Sequence, residues 1–401
     1  KIDPVRGTNG PLSVSPTRLK RDIVDKWIDA AVAAGYKRNP DYNGADQEGV
    51  SYFQLTLDKG RRCSSAVAYL KPARDRKNLT VITHAQAEKL LIKDGRTTGV
   101  TVNIKGTSQD IMARREVILS AGTIGSPQIL MLSGIGAADD LKQQGITVVH
   151  NLPGVGKNLQ DHLQARPIFK THLSTINIET NNLLKQGIIA LQYALTQTGP
   201  MTMAASLGTA FLKTDPTLDT PDIQFHIQPF SASAPADGPH KFSAFTASVL
   251  QMRPESTGHI ALKSADWRDH PAIHPNYLAT ELDQNTIVKG IQIARKISQT
   301  EPLKANIIEE FIPGLGVAFD DYDATLTWAR DNSVTIYHPT GTCKMGQDDM
   351  AVVDARLRVY GIKGLRVADC SIMPTITSGN TNAPAIMIGE KLSDMVLADA
   401  K

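Results

Sequence analysis

Strand-like and helix-like segments alternate towards both ends of this chain, and this alternation constrains its fold more than any other feature. The short strand pattern Arg115–Ser120 leads into a helical run at Gln128–Leu132, and Leu365–Ala368 precedes a long apolar helix at Ala383–Leu397. Such alternation is typical of α/β domains. The region 163–330 mixes helices with clustered strands instead. The sequence therefore predicts an α/β domain interrupted by an α+β lobe.

Local patterns predict the remaining elements. Ser15-Pro16 is typical of a helix N-cap followed by proline, and apolar residues then recur at helical spacing up to Gly35. A turn is predicted at Lys93–Arg96. Further strands are predicted at Gly49–Leu57, Asn78–Ile82, Gly99–Ile104, Asp222–Ile227, Ala244–Met252 and Gly258–Leu262, and further helices at Leu183–Thr196 and Asp283–Ile297.

Charge and cysteine content exclude several classes of protein. With 43 Lys and Arg against 40 Asp and Glu, the 401-residue chain lacks the basic excess of a nucleic-acid binder. It contains no run of about 18 apolar residues that could span a membrane. Its cysteines, Cys63, Cys343 and Cys370, are too few for a disulfide framework.

Familiar catalytic and metal motifs are missing. The sequence contains neither a G-x-S-x-G elbow nor a P-loop. His270 and His274 are flanked by Pro271 and Pro275, which disfavour the helix that a metal-binding pair at this spacing would need, so no metal site is predicted. The pairs Gly134–Gly136 and Gly154–Gly156 lack the third glycine of a dinucleotide fingerprint.

Two segments near the end of the chain are dense in reactive or special residues. In 337–346, His338 precedes a proline, and imidazole suits proton transfer near neutral pH. A structural histidine, or a nucleophilic pair with Cys343, would give the same pattern. In 369–384, a loop with Gly379, Asn380 and Asn382 enters a helix, whose free N–H groups could face an electron-rich group or could simply be capped.

Together these segments resemble the glucose-methanol-choline (GMC) flavoprotein oxidoreductases. The run from Gly122 to Gly136 matches a signature of that family at every position, and Gly154–His162 matches another. Asn43–Gly49, Gly60–Ala66 and the two segments described above are also typical, in the right order along nearly the whole chain.

The resemblance implies an FAD cofactor and a set of site residues. His338 corresponds to the base that removes the alcohol proton while hydride passes to flavin N5, and Asn380 to a residue that holds the substrate oxygen. The run Asn382-Ala383-Pro384 would lie beside the flavin pyrimidine. Asp369 and Cys370 would contact the ribityl–pyrophosphate part, and Ala87 the adenine. With Asn at position 380, the chain is similar to the family members that act on choline and aliphatic alcohols.

One departure from the family is large. The glycine-rich fingerprint and ribose-binding acid of the first βαβ unit are absent, and the start Lys1-Ile2-Asp3-Pro4 lacks Met and the features of a signal peptide. We therefore expect an incomplete α/β FAD-binding domain, formed by 58–162 and 331–401, and an α+β substrate-binding domain with an antiparallel sheet at 163–330, with 1–57 associated with it. The missing N-terminal segment of the same polypeptide would be its partner, without which FAD binding should be weak.

The predicted function is FAD-dependent oxidation of a primary alcohol to an aldehyde, with a quinone or oxygen as electron acceptor. The alternatives are a lyase of the hydroxynitrile lyase type and a non-catalytic fragment unable to hold FAD. His226 is a candidate pocket residue, although a plain core or surface role fits it equally well. Unpaired cysteines favour the cytoplasm, with membrane association as an alternative.

Overall fold

The computed structural model describes residues 6–233 and 238–400 and divides into two compact units. Unit 1 comprises Lys1–Thr80, Gln164–Gln251 and Gln284–Val334, and unit 2 comprises Val81–Leu163, Met252–Asp283 and Thr335–Lys401. The opening segment Lys1–Pro4 lies outside the described residues. Among the described helices, none is long and apolar enough to cross a membrane.

The strands and helices follow in chain order. The strands are β1 Ser15–Pro16, β2 Gly49–Tyr52, β3 Gln54–Leu55, β4 Leu57–Asp58, β5 Arg61–Arg62, β6 Ala85–Lys93, β7 Arg96–Ile104, β8 Thr107–Met112, β9 Val117–Leu119, β10 Ile135–Gly136, β11 His150–Asn151, β12 Leu163–Ala165, β13 Ile168–Thr171, β14 Gly208–Leu212, β15 Ile223–Gln228, β16 Ala244–Gln251, β17 His259–Ala261, β18 Ala272–His274, β19 Ile307–Ile312, β20 Val334–Thr335 and β21 Leu365–Val367. The α-helices are α1 Asp22–Ala33, α2 Lys71–Ala73, α3 Gly122–Leu132, α4 Ala138–Gln143, α5 Ile176–Glu179, α6 Leu183–Thr196, α7 Glu281–Ser298, α8 Tyr322–Asn332 and α9 Asn382–Asp399.

Unit 1 contains an antiparallel sheet in the order β19-β13-β16-β15-β14-β2. Every residue of β16 is buried, as expected for a central strand. Phe225 of β15 and Val249 of β16 are direct cross-strand partners and share one face of the sheet. Trp27 of α1 packs on Phe225 with ring centroids 5.6 Å apart, and Gly290 lets α7 approach Val249 closely. Both helices therefore cover the same face of the sheet.

Unit 2 combines the parallel pair β9–β21 with an antiparallel sheet in the order β6-β7-β8. Leu119 and Val367, which lie opposite each other in the parallel pair, belong to one hydrophobic core with Ile129 of α3 and Ile388 of α9. The turn predicted at Lys93–Arg96 is confirmed, because β6 and β7 pair across Asp94 and Gly95. The core thus anchors the end of β21, after which the segment with Asp369, Cys370 and Asn380 follows.

Two local predictions are wrong for identifiable reasons. Ser15 does not cap a helix: its hydroxyl donates to the Leu57 carbonyl at 3.3 Å, Ser15–Pro16 is a short strand, and α1 begins only at Asp22. No strand forms at Asn78–Ile82, where Val81 and Ile82 are each 50% exposed. The left-handed backbone of His84 (φ 55°) separates this segment from β6.

Helix α3 begins earlier than predicted, at Gly122, with Pro127 inside it. Proline cannot donate to the carbonyl four residues before it, which here belongs to Thr123. The Thr342 hydroxyl donates to that carbonyl instead, at 2.6 Å. A contact distant in sequence therefore replaces the missing helical hydrogen bond, and the chain pattern around Pro127 could not indicate it.

Candidate active site

The loop that carries His338 is aligned by backbone pairing with the segment before β12. Gln160 and Thr340 exchange reciprocal N–H to carbonyl hydrogen bonds of 3.1 and 2.8 Å, and the Ile336 N–H donates to the His162 carbonyl at 3.1 Å. Gly341 has φ 94°, and a Cβ there would lie 2.3 Å from the Asn158 carbonyl oxygen, so only glycine fits this approach. Two segments far apart in the chain are thereby held side by side.

Asp161 fixes the backbone on both sides of this pairing. Its Oδ1 accepts the backbone N–H groups of His162 and His338, each at 2.9 Å. Its Oδ2 accepts the hydroxyls of Tyr277 and Thr335. The carboxylate is 8% exposed and has four donors, which offset the cost of burying a charge. Both histidine backbones are thus held by one buried anion.

The side chains of these two histidines are in direct contact. Their Nδ1 atoms lie 3.0 Å apart, and Nε2 of His162 lies 2.8 Å from the Met252 carbonyl oxygen. His162 is fully buried and His338 is 8% exposed. The residue before His338, Tyr337, has φ 63°, an uncommon conformation for a bulky side chain and one that clusters at functional sites.

Asn380 completes this group from the loop before α9. Its amide Nδ2 lies 3.1 Å from Nε2 of His338, so the two residues that the sequence predicts as catalytic are neighbours. Unlike the histidines, Asn380 is exposed. The exposed amide of Asn380 therefore lies at the surface of unit 2, directly beside a buried imidazole nitrogen.

Burial keeps both imidazoles neutral. Desolvation, together with the neighbouring His162, lowers the pKa of His338 to about 4, against a smaller opposing effect of Asp161. Desolvation likewise lowers the pKa of His162 to about 4, although the Met252 carbonyl opposes this. At neutral pH both rings therefore carry a single proton, and each has one nitrogen able to accept a hydrogen bond.

The N-terminus of α9 lies directly after Asn380. Thr381 occupies the N-cap position without a side-chain hydrogen bond to the helix. Asn382 and Ala383 are exposed and Pro384 is half-buried. An 18-residue helix with an uncapped N-terminus offers backbone N–H groups and a partial positive charge to an electron-rich partner.

Asp369 and Cys370 follow β21 and adjoin the same region. Asp369 accepts the Gly122 N–H at 2.9 Å and the Ser126 hydroxyl at 2.6 Å, which places a carboxylate at the N-terminus of α3. The Cys370 carbonyl accepts the Gly341 N–H at 3.2 Å. Burial and the neighbouring Asp369 raise the pKa of the Cys370 thiol to about 11. Their cofactor contacts stay a prediction.

The other residues singled out from the sequence lie elsewhere. Ala87 is half-buried in β6, where it packs against the core of unit 2. His226 belongs to unit 1, is buried in β15, and has its ring 4.9 Å from that of Phe53. Cys343 is fully buried in the core, and burial raises the pKa of its thiol, which argues against a nucleophilic thiolate. Within 6–233 and 238–400, no group of three or more His, Cys, Asp or Glu is placed to hold a metal ion.

Sequence reasoning assigned no role to Asp161, His162, Tyr277 or Met252. Asp161 and His162 are the last two residues of the motif Gly154–His162. An acid next to a histidine in that motif was the one signal that could have indicated them. Tyr277 and the Met252 carbonyl carried no signal, because nothing in the local sequence indicates which distant side chain they meet.

Two family models, each described as GMC oxidoreductase, match residues 4–164 and 254–389. The alcohol dehydrogenase [acceptor] of Pseudomonas putida is 39% identical over 98% of this chain and 71% of its own length. Human mitochondrial choline dehydrogenase is 41% identical over 98% of this chain and 66% of its own length. The chain thus spans about two thirds of the length of these relatives.

A solved structure of formate oxidase from Aspergillus oryzae, from a study of FAD modification, has a similar fold. It superposes with a TM-score of 0.90 at 26% identity and covers 98% of this chain, which in turn covers 73% of that structure.

Proposed function

This chain belongs to the GMC oxidoreductase family of FAD-dependent enzymes that oxidise alcohols, and we propose that it converts a primary alcohol into the aldehyde with His338 as base. The observation that carries this proposal is the pairing of a neutral, buried imidazole with an amide, His338 Nε2 to Asn380 Nδ2 at 3.1 Å. The domain division expected from the sequence, with 163–330 forming the substrate-binding part, is included in the proposal.

His338 would take the hydroxyl proton of the substrate. Forming an aldehyde from an alcohol requires the loss of one proton from oxygen and one hydride from carbon. A neutral imidazole can accept that proton, and its acceptance increases the tendency of the carbon to donate hydride. Because desolvation keeps His338 neutral well below pH 7, the base is in its working protonation state throughout the physiological range.

Asn380 would hold the substrate oxygen. An amide cannot act as a base, but its N–H can donate to the oxygen as negative charge develops there. Since Asn380 is exposed and neighbours His338 Nε2, one hydroxyl group can contact both side chains. This division of roles is the same as that implied by the family resemblance.

The residues around the α9 N-terminus fit one end of FAD. The uncapped backbone N–H groups of Asn382 and Ala383, beside Pro384, suit the electron-rich pyrimidine of a flavin. Bound FAD supplies the acceptor for the hydride that leaves the substrate carbon. Asp369 and Cys370 are proposed contacts of its ribityl–pyrophosphate part, and the Ala87 backbone of its adenine.

The grip on the pyrophosphate is proposed to come from outside these 401 residues. The chain holds no Gly-x-Gly-x-x-Gly segment that would cradle two phosphates, so the first βαβ unit would be supplied by a further segment of the same polypeptide. We expect the 401-residue chain alone to purify without flavin absorbance and a longer polypeptide to be yellow. A flavin spectrum from the isolated chain would refute the proposal that a further segment is needed to hold FAD.

The substrate is proposed to be an aliphatic primary alcohol, with choline among the compounds to be screened. The relatives in Pseudomonas putida and human mitochondria are named for an alcohol and for choline. The electrons would pass to a quinone or to oxygen. A screen of alcohols against both acceptors, with aldehyde formation as the readout, identifies the substrate and the acceptor together.

The base assignment is tested by His338→Ala in the longer polypeptide that holds FAD. We expect the rate of flavin reduction by alcohol to fall by about 10²-fold or more. His270→Ala, which removes an exposed histidine, is the matched control and should leave the rate unchanged. Near-normal reduction in His338→Ala would remove His338 from the mechanism. Cleavage of a hydroxynitrile without flavin reduction would favour the lyase instead.

A further inference from the structure

The hydrogen bonds of His162 determine which nitrogen of His338 carries a proton. The Met252 carbonyl can only accept, so Nε2 of His162, 2.8 Å away, must carry hydrogen. His162 is buried and neutral, which leaves its Nδ1 without hydrogen. The contact of 3.0 Å between the two Nδ1 atoms is a hydrogen bond only if His338 Nδ1 is the donor.

This donor role also determines whether Nε2 of His338, the nitrogen proposed to react, carries a proton. A neutral His338 that donates through Nδ1 must have an unprotonated Nε2, and Nε2 is the atom that faces the Asn380 amide. If His338 adopted the other tautomer, Nε2–H would face the Asn380 N–H donors and the two Nδ1 lone pairs would face each other in a buried site, an unfavourable arrangement.

We propose that His162 is a positioning residue that holds His338 in the Nδ1–H tautomer, with Nε2 unprotonated and able to accept the substrate proton. The chain of contacts runs from the Met252 carbonyl through both rings to Asn380. His162 touches neither substrate nor cofactor in this proposal and acts only through His338. The proposal rests on the proposed function, in which Nε2 is the proton acceptor.

The test compares His162→Leu with His162→Gln in the longer polypeptide that holds FAD. Leucine removes the acceptor for His338 Nδ1–H. Glutamine can accept through its amide oxygen and donate through its amide nitrogen, as His162 does. We expect kcat to fall by about tenfold or more in His162→Leu and to recover most of this loss in His162→Gln.

The tautomer itself is read from ¹⁵N spectra of histidine-labelled protein, with His338→Gln used to assign the signals. The wild type and His162→Gln should show His338 with Nδ1 protonated, and His162→Leu should show a mixture. A wild-type His338 protonated on Nε2, or a His162→Leu variant with both tautomer and kcat unchanged, would overturn the proposal. Absence of alcohol oxidation in the wild type would overturn the proposed function instead, since the spectra test the hydrogen-bond chain independently.

A second inference comes from the surface of unit 1. Helix α6 contains no buried residue, and Leu184, Ile188, Leu191 and Leu195 recur at helical spacing along one side. These four side chains are 76%, 60%, 60% and 75% exposed, and Leu183 beside them is 84% exposed. A contiguous stripe of this kind is unusual on a protein surface and marks an interaction site.

Helix α6 itself carries no acidic side chain, although Glu179 precedes it and Asp58 lies in the neighbouring β4–β5 hairpin. Residues 180–214, which include the whole of α6, contain no Asp or Glu. The β4–β5 hairpin reaches the C-terminal end of the helix, where Tyr193 donates to the Gly60 carbonyl, and Arg61 and Arg62 of this hairpin are exposed. Arg18 donates to the Gln197 carbonyl at the same end. Arginines therefore border the C-terminal end of the apolar stripe.

We infer that this face of α6, with Arg18, Arg61 and Arg62, docks on an anionic lipid surface. An apolar helix face lying in the plane of the bilayer, with cations at the headgroup level, is a known mode of peripheral binding. A second copy of the chain is disfavoured as the occupant, because residues 180–214 of that copy would offer the arginines no carboxylate to pair with. The helix would lie on the membrane without crossing it.

Vesicle sedimentation tests this inference. The wild type should bind phosphatidylcholine vesicles that contain phosphatidylglycerol and should bind pure phosphatidylcholine vesicles much more weakly. Leu184→Ser/Leu191→Ser/Leu195→Ser should lower binding by about tenfold or more. The matched control, Met112→Ser/Leu315→Ser/Leu397→Ser, removes three exposed apolar side chains outside α6 and should bind like the wild type.

An arginine variant, added salt and thermal unfolding provide three further measurements. Arg61→Gln/Arg62→Gln should weaken binding to the anionic vesicles only, and added salt should have the same effect. Thermal unfolding of each variant shows that the fold is intact. Failure of the wild type to bind anionic vesicles, equal binding by the α6 variant, or a dimer that this variant dissociates would each overturn the inference.

Discussion

The His162–His338 group and helix α6 depart from ordinary burial in opposite directions. The first places polar and charged side chains inside the protein, and each of the contacts around Asp161 and the two rings is a hydrogen bond. The second leaves leucines and an isoleucine in solvent. Buried polar groups and exposed apolar patches are the two observations that most often point to function, because each costs stability unless something else requires it.

The comparison also shows where stability and function coincide. In the buried group, the contacts that hold the fold are those that hold His338, the proposed base, so substitutions should affect both properties. In α6 the apolar face supports no core, so substitutions should affect binding alone. The following predictions test that separation, from the largest expected effect to the smallest.

Asp161→Asn should destabilise the protein most, by about 3 kcal/mol or more. An amide keeps one acceptor oxygen for two of the four donors and places an N–H₂ group against the other two. Denaturant unfolding measures this change. Asp266→Asn is the control: Asp266 accepts a backbone N–H from Arg268 but is exposed, and its loss should change stability by less than about 0.5 kcal/mol. Equal effects of the two substitutions would contradict the view that burial of the Asp161 network matters.

The free energy of unfolding should fall as the pH falls from about 6.5 towards 4. Desolvation lowers the pKa of both His162 and His338 to about 4, whereas an unfolded histidine titrates near 6.5. In this window the unfolded chain binds more protons, so stability is fully present above the unfolded pKa and is lost on acidification, by up to about 1.4 kcal/mol per pH unit for each ring.

The slope should become shallower in the double variant His162→Gln/His338→Gln, which contains no imidazole at these positions. Unfolding measured at several pH values between 4 and 7 provides the comparison. An unchanged slope in the double variant would assign the acid sensitivity to other groups.

Asn380→Ala should lower kcat/KM by about tenfold, an effect equal to about 1.4 kcal/mol, because one hydrogen bond to the developing charge on the substrate oxygen is lost. Stability should change little, since Asn380 is exposed although it contacts His338. Steady-state kinetics and thermal unfolding measure the two effects. A large loss of stability would mean that Asn380 supports the fold as the buried group does, and would contradict this prediction.

Leu191→Ser should have the smallest effect, less than about 0.5 kcal/mol on unfolding, because its side chain is already 60% exposed. Leu250→Ser, at a fully buried position of β16, is the contrasting control and should cost several kcal/mol. If Leu191→Ser were as damaging as Leu250→Ser, the exposed stripe would be part of a core and the comparison would fail.

Elements with strong periodicity could be predicted closely from the sequence. The helix predicted at Leu183–Thr196 is confirmed with the same bounds, and the helix at Asp283–Ile297 and the strand at Ala244–Met252 each agree within about two residues at either end. The residues His338 and Asn380 were selected by motif, and the structure brings them within 3.1 Å. Their catalytic roles stay predictions.

Features that depend on distant partners could not be predicted. Ser15 bonds to Leu57 instead of capping a helix, and Pro127 is accommodated inside α3 by Thr342. Periodicity indicates that α6 has an apolar side, but it does not say whether that side meets a core or solvent. The pattern of α6 alone would have suggested a buried face.

By itself the sequence determined the family, the elements with clear periodicity and the two loops that carry His338 and Asn380, because these reside in local patterns and motifs. Only the tertiary structure decided that His162 meets His338, that Asp161 binds both of their backbones, and that the described residues leave α6 uncovered. The physical reason is that burial and hydrogen-bond direction are properties of contacts between segments far apart in the chain. A tautomer is selected by the donor or acceptor that faces it, and that partner is known only once the chain has folded.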